Sequence, residues 1–189
     1  MSFNVANALT WMRIVMIPLF VGVYYFPPTW LALPQQNLIA TVIFTVAALT
    51  DLLDGYLARK LNQVSAFGAF LDPVADKLMV AAALIVLVDL NRINAVIAVI
   101  IIGREITISA LREWMAHLGA GKSVAVSFLG KIKTVAQMIA IPMLLYFDPI
   151  GRFRPSLWGM GLILLAAALT LWSMFYYLKM AMPTVQKHG

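Results

Sequence analysis

Cysteine is absent from this chain of 189 residues, which excludes disulfides, thiolate nucleophiles and zinc–thiolate sites. Charge is scarce too: 12% of residues are Asp, Glu, Lys or Arg, about half the share of a typical soluble domain, while 62% are hydrophobic. So few polar groups cannot cover a water-facing surface, and lipid must face much of the molecule. Histidine occurs twice, at His117 in a loop and His188 in the tail, leaving no Ser–His pair or His dyad for covalent catalysis. Both read as solvated side chains. The net charge of +6 then reads as membrane orientation and attraction to anionic head groups, because hardly any soluble face exists to bind nucleic acid. The N-terminal segment lacks the basic region and small-residue cleavage site of a signal peptide, so its apolar run is expected to be a retained first span.

What the chain has is apolar runs of spanning length. About twenty apolar residues cross a bilayer as a helix. On that measure six spans are expected, at 8–26, 38–60, 73–90, 93–116, 131–147 and 156–178. The short break Asp89-Leu90-Asn91-Arg92 implies an antiparallel hairpin between spans three and four. Repeats and low-complexity tracts are absent, so residues 1–189 are expected to form a single domain, one all-α integral membrane bundle. Eleven basic residues (Arg13, Arg59, Lys60, Lys77, Arg104, Arg112, Lys122, Lys131, Lys133, Lys179, Lys187) fall on one side, against Arg92, Arg152 and Arg154 on the other. That bias predicts both termini in the cytoplasm. Trp11, Trp30, Trp114, Trp158 and Trp172 lie mostly near span ends and read as interfacial anchors.

Four of the eight acidic residues, Asp51, Asp54, Asp72 and Asp76, crowd into 26 positions. The first two share a helix face at i, i+3 and the second two at i, i+4, all near the cytoplasmic mouth of spans two and three. Four like charges there would repel one another and resist desolvation, so a counter-charge is required. An all-carboxylate set points to a hard divalent ion, Mg²⁺ first, with Mn²⁺ or Ca²⁺ as substitutes, and two ions would balance four carboxylates. Intramembrane acids also build proton or cation pathways, which keeps a transporter as the rival reading. Gly55 and Ala58 leave the helix surface bare beside the acids, Arg59 offers a planar fork of donors for a diphosphate, and the stretch around Gly68 (Ser65-Ala66-Phe67) is expected to be a loop that approaches a ligand closely.

The run Asp51-Leu-Leu-Asp54-Gly55-Tyr-Leu-Ala58-Arg59, eight residues, then Gly68-Ala-Phe-Leu-Asp72-Pro-Val-Ala-Asp76 resembles the signature of the CDP-alcohol phosphatidyltransferases, D-x-x-D-G-x-x-A-R-x₈-G-x₃-D-x₃-D, at all eight fixed positions. The resemblance implies a six-helix fold, a homodimer and a binuclear metal site open to the cytoplasm at a bacterial inner membrane. It implies Asp51, Asp54, Asp72 and Asp76 as metal ligands, Asp76 also as the catalytic base, and a CDP pocket lined by Gly55, Ala58, Arg59 and Gly68, with Asn7 and Thr10 from the N-terminal segment. One departure is visible: Ala6 stands where the family commonly has proline before the asparagine.

The resemblance extends over almost the whole chain to members acting on CDP-diacylglycerol and sn-glycerol 3-phosphate, through Asn7-Ala-Leu-Thr10-Trp-Met-Arg13, Gly103-Arg104-Glu105, Ala110-Leu111-Arg112-Glu113-Trp114, Gly130-Lys131-Ile-Lys133-Thr134 and Leu171-Trp172-Ser173. The acceptor's phosphate needs a cationic pocket of its own, for which Arg104, Arg112, Lys131 and Lys133 are the candidates, Glu105 being expected to pair with Arg112. That set favours a phosphorylated acceptor, glycerol 3-phosphate or an inositol phosphate, over serine or phosphatidylglycerol. Lys131 and Lys133 lie two apart and could meet one ligand if a helix begins near Gly130.

Overall fold

The computed structural model describes residues 5–61, 66–117 and 128–188, with side chains placed at 10–50, 71–117, 130, 132–180 and 182. Among the described residues six α-helices follow one another: α1 (Val5–Gly22), α2 (Leu33–Leu61), α3 (Ala66–Asp89), α4 (Ala95–His117), α5 (Phe128–Tyr146) and α6 (Pro155–His188), with a 3₁₀ turn (Val23–Tyr25) after α1. Each helix overlaps one of the six expected apolar runs.

The boundaries differ where proline was read as punctuation. α2 starts at Leu33, ahead of the expected 38, because Pro34 falls in the first turn, where no helical N–H is missed. Gln35 completes that start by accepting the Ala32 N–H at 3.0 Å through its side chain. α3 starts at Ala66, ahead of the expected 73, and carries Pro73 inside it. Ala66, Phe67 and Gly68 are therefore helical, which corrects the loop expected around Gly68; Ser65 lies outside the described residues. α6 likewise runs past the expected 178 to His188, and His117 is the last residue of α4, where a loop was expected.

α1 packs on α2 and α3, α2 on α5, α4 on α3 and α6, and α5 and α6 make the most extensive contact. Phe20, Phe44, Leu84, Leu87, Ile101, Ile141, Leu144 and Ile163 meet in a core to which every helix contributes. Gly159 sets the α5–α6 distance: a Cβ there would come within 2.9 Å of the Leu144 side chain and 3.2 Å of the Ala140 carbonyl.

The outer surface is apolar as well. Leu38, Val42, Val46 and Leu49 form one exposed face of α2, Val96, Val99 and Ile106 are exposed along α4, and all five tryptophans are exposed. Such surface is unstable against water and suited to acyl chains. Among the described residues, Leu33–Thr50 and Pro155–Met180 are long and apolar enough to cross a membrane by themselves.

At the α3–α4 turn, Asn91 adopts φ 55°, a left-handed conformation that asparagine tolerates. The Arg92 N–H bonds the Leu87 carbonyl at 2.8 Å and the Asn91 N–H bonds that of Val88 at 2.9 Å, closing α3 in a Schellman motif. Arg92 then turns inward. It donates to the Leu144 and Leu145 carbonyls at 3.0 and 2.6 Å and to Asn37 at 2.6 Å, and lies 4.6 Å from the Phe147 ring centre. Burial lowers its pKa, an effect opposed by Tyr24 and Asp148. One arginine thus ties α2, α5 and the α3–α4 turn together, about 24 Å along α3 from Asp76.

Candidate active site

Asp72 and Asp76 stand one turn apart near the start of α3, and α1 meets both with a matching pair. Thr10 donates its hydroxyl to Asp72 Oδ1. Arg13 donates through Nη1 to Asp76 Oδ1 at 2.9 Å. The i, i+3 spacing on α1 and the i, i+4 spacing on α3 let two packed helices form two rungs at one level. The rungs differ in environment: the Arg13 side chain is 2% exposed, whereas Asp76 is 38% exposed and opens outward. Beneath them lies a cavity of about 20 Å³, the size of one water molecule, lined by Arg13, Asp76, Phe44, Ala47 and Met79 among others.

Two carboxylates on one helix face, each held through one oxygen by α1, form an all-oxygen donor set that fits a hard divalent cation. Asp51, Asp54, Gly55, Ala58 and Arg59 lie on the last three turns of α2, Gly68 on the first turn of α3 and Asn7 on α1. Their side chains lie outside the described residues.

A second cluster joins α4, α5 and α6. Lys133, almost wholly buried on α5, donates to Glu105 on α4. Arg104, also buried, lies 3.5 Å from the same carboxylate oxygen and donates to Ser173 of α6 at 3.1 Å. Ser173 donates its hydroxyl to the Thr170 carbonyl at 3.0 Å. The Tyr177 ring lies between two guanidinium groups, with Arg104 at 5.6 Å and Arg112 at 5.4 Å from its centre. Arg104, Arg112 and Lys133 are therefore gathered as expected, but the expected Glu105–Arg112 pair is replaced by Glu105–Lys133. α5 begins at Phe128, so positions 131 and 133 stand about 200° apart around a helix already formed. The Lys131 side chain lies outside the described residues.

Glu105 also reaches the seam between α3 and α4. An apolar groove of about 100 Å³ runs there, lined by Lys77, Leu78, Val80, Ala81, Ile102, Glu105 and Ile106. Lys77, next to Asp76 in sequence, and Glu105 of the cationic cluster both line it.

Arg13, Ser173 and Tyr177 were not singled out as site residues by the sequence. The usable signal was the polar pair Thr10 and Arg13 at i, i+3 within an otherwise apolar run.

An all-helical bundle with an apolar exterior, acids on α3 and cations on α4 and α5 has the character of a membrane-embedded protein that handles phosphorylated ligands. The chain belongs to the CDP-alcohol phosphatidyltransferase family, whose sequence model matches residues 3–172, and it is a membrane protein. The CDP-diacylglycerol–glycerol-3-phosphate 3-phosphatidyltransferases of Escherichia coli (strain K12) and Shigella flexneri serotype 5b are each 49% identical to it over 187 residues, covering 96% of both chains. The family generally uses divalent metal ions.

Proposed function

We propose that this protein transfers a phosphatidyl group from CDP-diacylglycerol to sn-glycerol 3-phosphate, giving phosphatidylglycerophosphate and CMP. The observation that carries this reading is the pairing of Thr10 with Asp72 and Arg13 with Asp76, beside a separate cluster of Arg104, Arg112 and Lys133. The full-length similarity to enzymes of that name supports it.

Asp51, Asp54, Asp72 and Asp76 would hold the metal, two Mg²⁺ ions, with Mn²⁺ as a substitute. When bound, the metal supplies Lewis-acid neutralisation of the diphosphate and of the departing CMP. Asn7, Thr10, Gly55, Ala58, Arg59 and Gly68 form the CDP pocket, with Arg59 against the diphosphate. Arg104, Arg112 and Lys133 hold the acceptor's phosphate. The acceptor's primary hydroxyl attacks the β-phosphorus; its oxygen bonds to phosphorus as the bond to the CMP oxygen breaks, and its proton passes to Asp76. Arg13 holds Asp76 in one orientation throughout. No covalent enzyme intermediate is required.

We further propose six spans with both termini in the cytoplasm of a bacterial inner membrane, the aspartates opening to the side where the water-soluble acceptor and released CMP reside, and a homodimer. The test is CMP release by purified protein in detergent with CDP-diacylglycerol, Mg²⁺ and a panel of acceptors. Release that depends on glycerol 3-phosphate and is lost in Asp76→Asn and with chelator supports the reading. Release with another acceptor overturns the acceptor assignment, and no turnover by folded, metal-loaded protein favours a cation pathway.

A further inference from the structure

A buried cation needs a partner, because desolvation is not recovered otherwise. Lys133 and Arg104 are both nearly inaccessible, and one carboxylate, Glu105, contacts both. Glu105 is itself 29% exposed and lines the α3–α4 groove, which has Lys77 along its wall. The same residue therefore touches the cationic cluster and, being part-exposed, lines a groove on the side away from it.

We propose that Glu105 is a specificity-determining residue, a resident counter-anion that occupies the anion position between Lys133 and Arg104 until a phosphorylated acceptor displaces it outward, where it is already part-exposed. This inference rests on the acceptor-phosphate reading of the cluster. A phosphate brings up to two negative charges and three terminal oxygens against one charge and two oxygens, so it outcompetes the carboxylate for the buried donors. A neutral polyol lacks the charge to do so and leaves Glu105 in place. The resident carboxylate thereby stabilises the empty cluster and discriminates against unphosphorylated alcohols, at the expense of weaker phosphate binding.

The experiment measures inhibition by inorganic phosphate of the full-length, Mg²⁺-loaded enzyme in detergent, with glycerol 3-phosphate varied at saturating CDP-diacylglycerol, and phosphate-dependent thermal stabilisation in parallel. In the unaltered protein phosphate is expected to compete with glycerol 3-phosphate. Glu105→Gln is expected to tighten the phosphate Ki roughly tenfold, the equivalent of one charge-assisted hydrogen bond released, and to lower the KM for glycerol 3-phosphate in the same direction. Glu105→Asp, which withdraws the carboxylate by one methylene, is expected to give a smaller shift of the same sign, and it decides the matter if Glu105→Gln fails to fold. Phosphate affinity that is unchanged or weaker in a folded variant overturns the counter-anion role while leaving the pocket standing. Phosphate that does not compete with glycerol 3-phosphate in the unaltered protein overturns the pocket reading, and this inference with it.

Discussion

Arg13 on α1 and Asp76 on α3 are joined by a 2.9 Å bond between a buried guanidinium and a carboxylate that is 38% exposed. The arginine has its polar atoms inside the protein, so the aspartate's position is set from the interior while its outer side faces the site.

Removing this partner should impair function more than folding. With the exposure of Asp76 taken into account, loss of the pair should cost roughly 2 kcal/mol of stability. Arg13→Ala is expected to lower kcat by more than tenfold, with the KM for glycerol 3-phosphate little changed, because the acceptor's phosphate binds elsewhere. Arg13→Lys should recover part of kcat, since a lysine restores the charge without the planar fork. Steady-state kinetics with a thermal melt on the same preparations measures both.

Thr10 offers a milder version of the same experiment. Thr10→Val keeps the shape and removes the donor to Asp72. A shift of the Mg²⁺ activation curve to higher concentration is expected, with kcat at saturating metal falling less than in Arg13→Ala. Metal titration of activity, with a parallel titration of thermal stability, measures it.

Arg92 should behave in the opposite way. Arg92→Gln leaves the Leu144 and Leu145 carbonyls short of donors in a buried place, at a cost of about 1–3 kcal/mol for each unsatisfied group. The melting temperature should drop, while kcat per folded molecule stays close to that of the unaltered protein. A proportional loss of kcat would instead couple this end of the bundle to the chemistry.

Chelation supplies a further check. EDTA should abolish turnover, and Mg²⁺ should restore it more fully than Ca²⁺, whose longer oxygen bonds and looser geometry suit transfer chemistry less well. Atomic analysis of the purified protein, with and without Asp72→Asn, reads metal content independently of activity.

Much of this was legible in the sequence because lipid makes strict demands. Apolar runs of spanning length had to become helices, and Asp72 and Asp76 had to share a face once α3 was helical. The misreadings concern tertiary decisions. Arg13 was counted only with the charges that set membrane orientation, yet it turns inward as Arg104 and Lys133 do, and nothing in a linear pattern separates a cation at a span end from one folded into the bundle. Glu105 was matched to Arg112 on its own helix, whereas the structure gives it Lys133, 28 positions away on α5. Gly68 was read as loop because the third span was expected to begin at 73, whereas α3 begins at Ala66 and carries Pro73 inside it. In a membrane-embedded bundle, neighbouring groups can meet the carbonyl that such a proline leaves without its donor.

The contact at Gly159 has a consequence far from where it occurs. α6 carries Ser173 and Tyr177, which hold the two arginines of the cationic cluster, and α5 carries Lys133, while Gly159 lies about 27 Å along α6 from Tyr177. Two rods clamped at one end transmit any spreading there to the other, enlarged by length. The absence of a side chain at a single position is thus a tolerance setting for the far face, fixing how closely the lysine on one rod and the serine and tyrosine that hold the arginines on the other can approach.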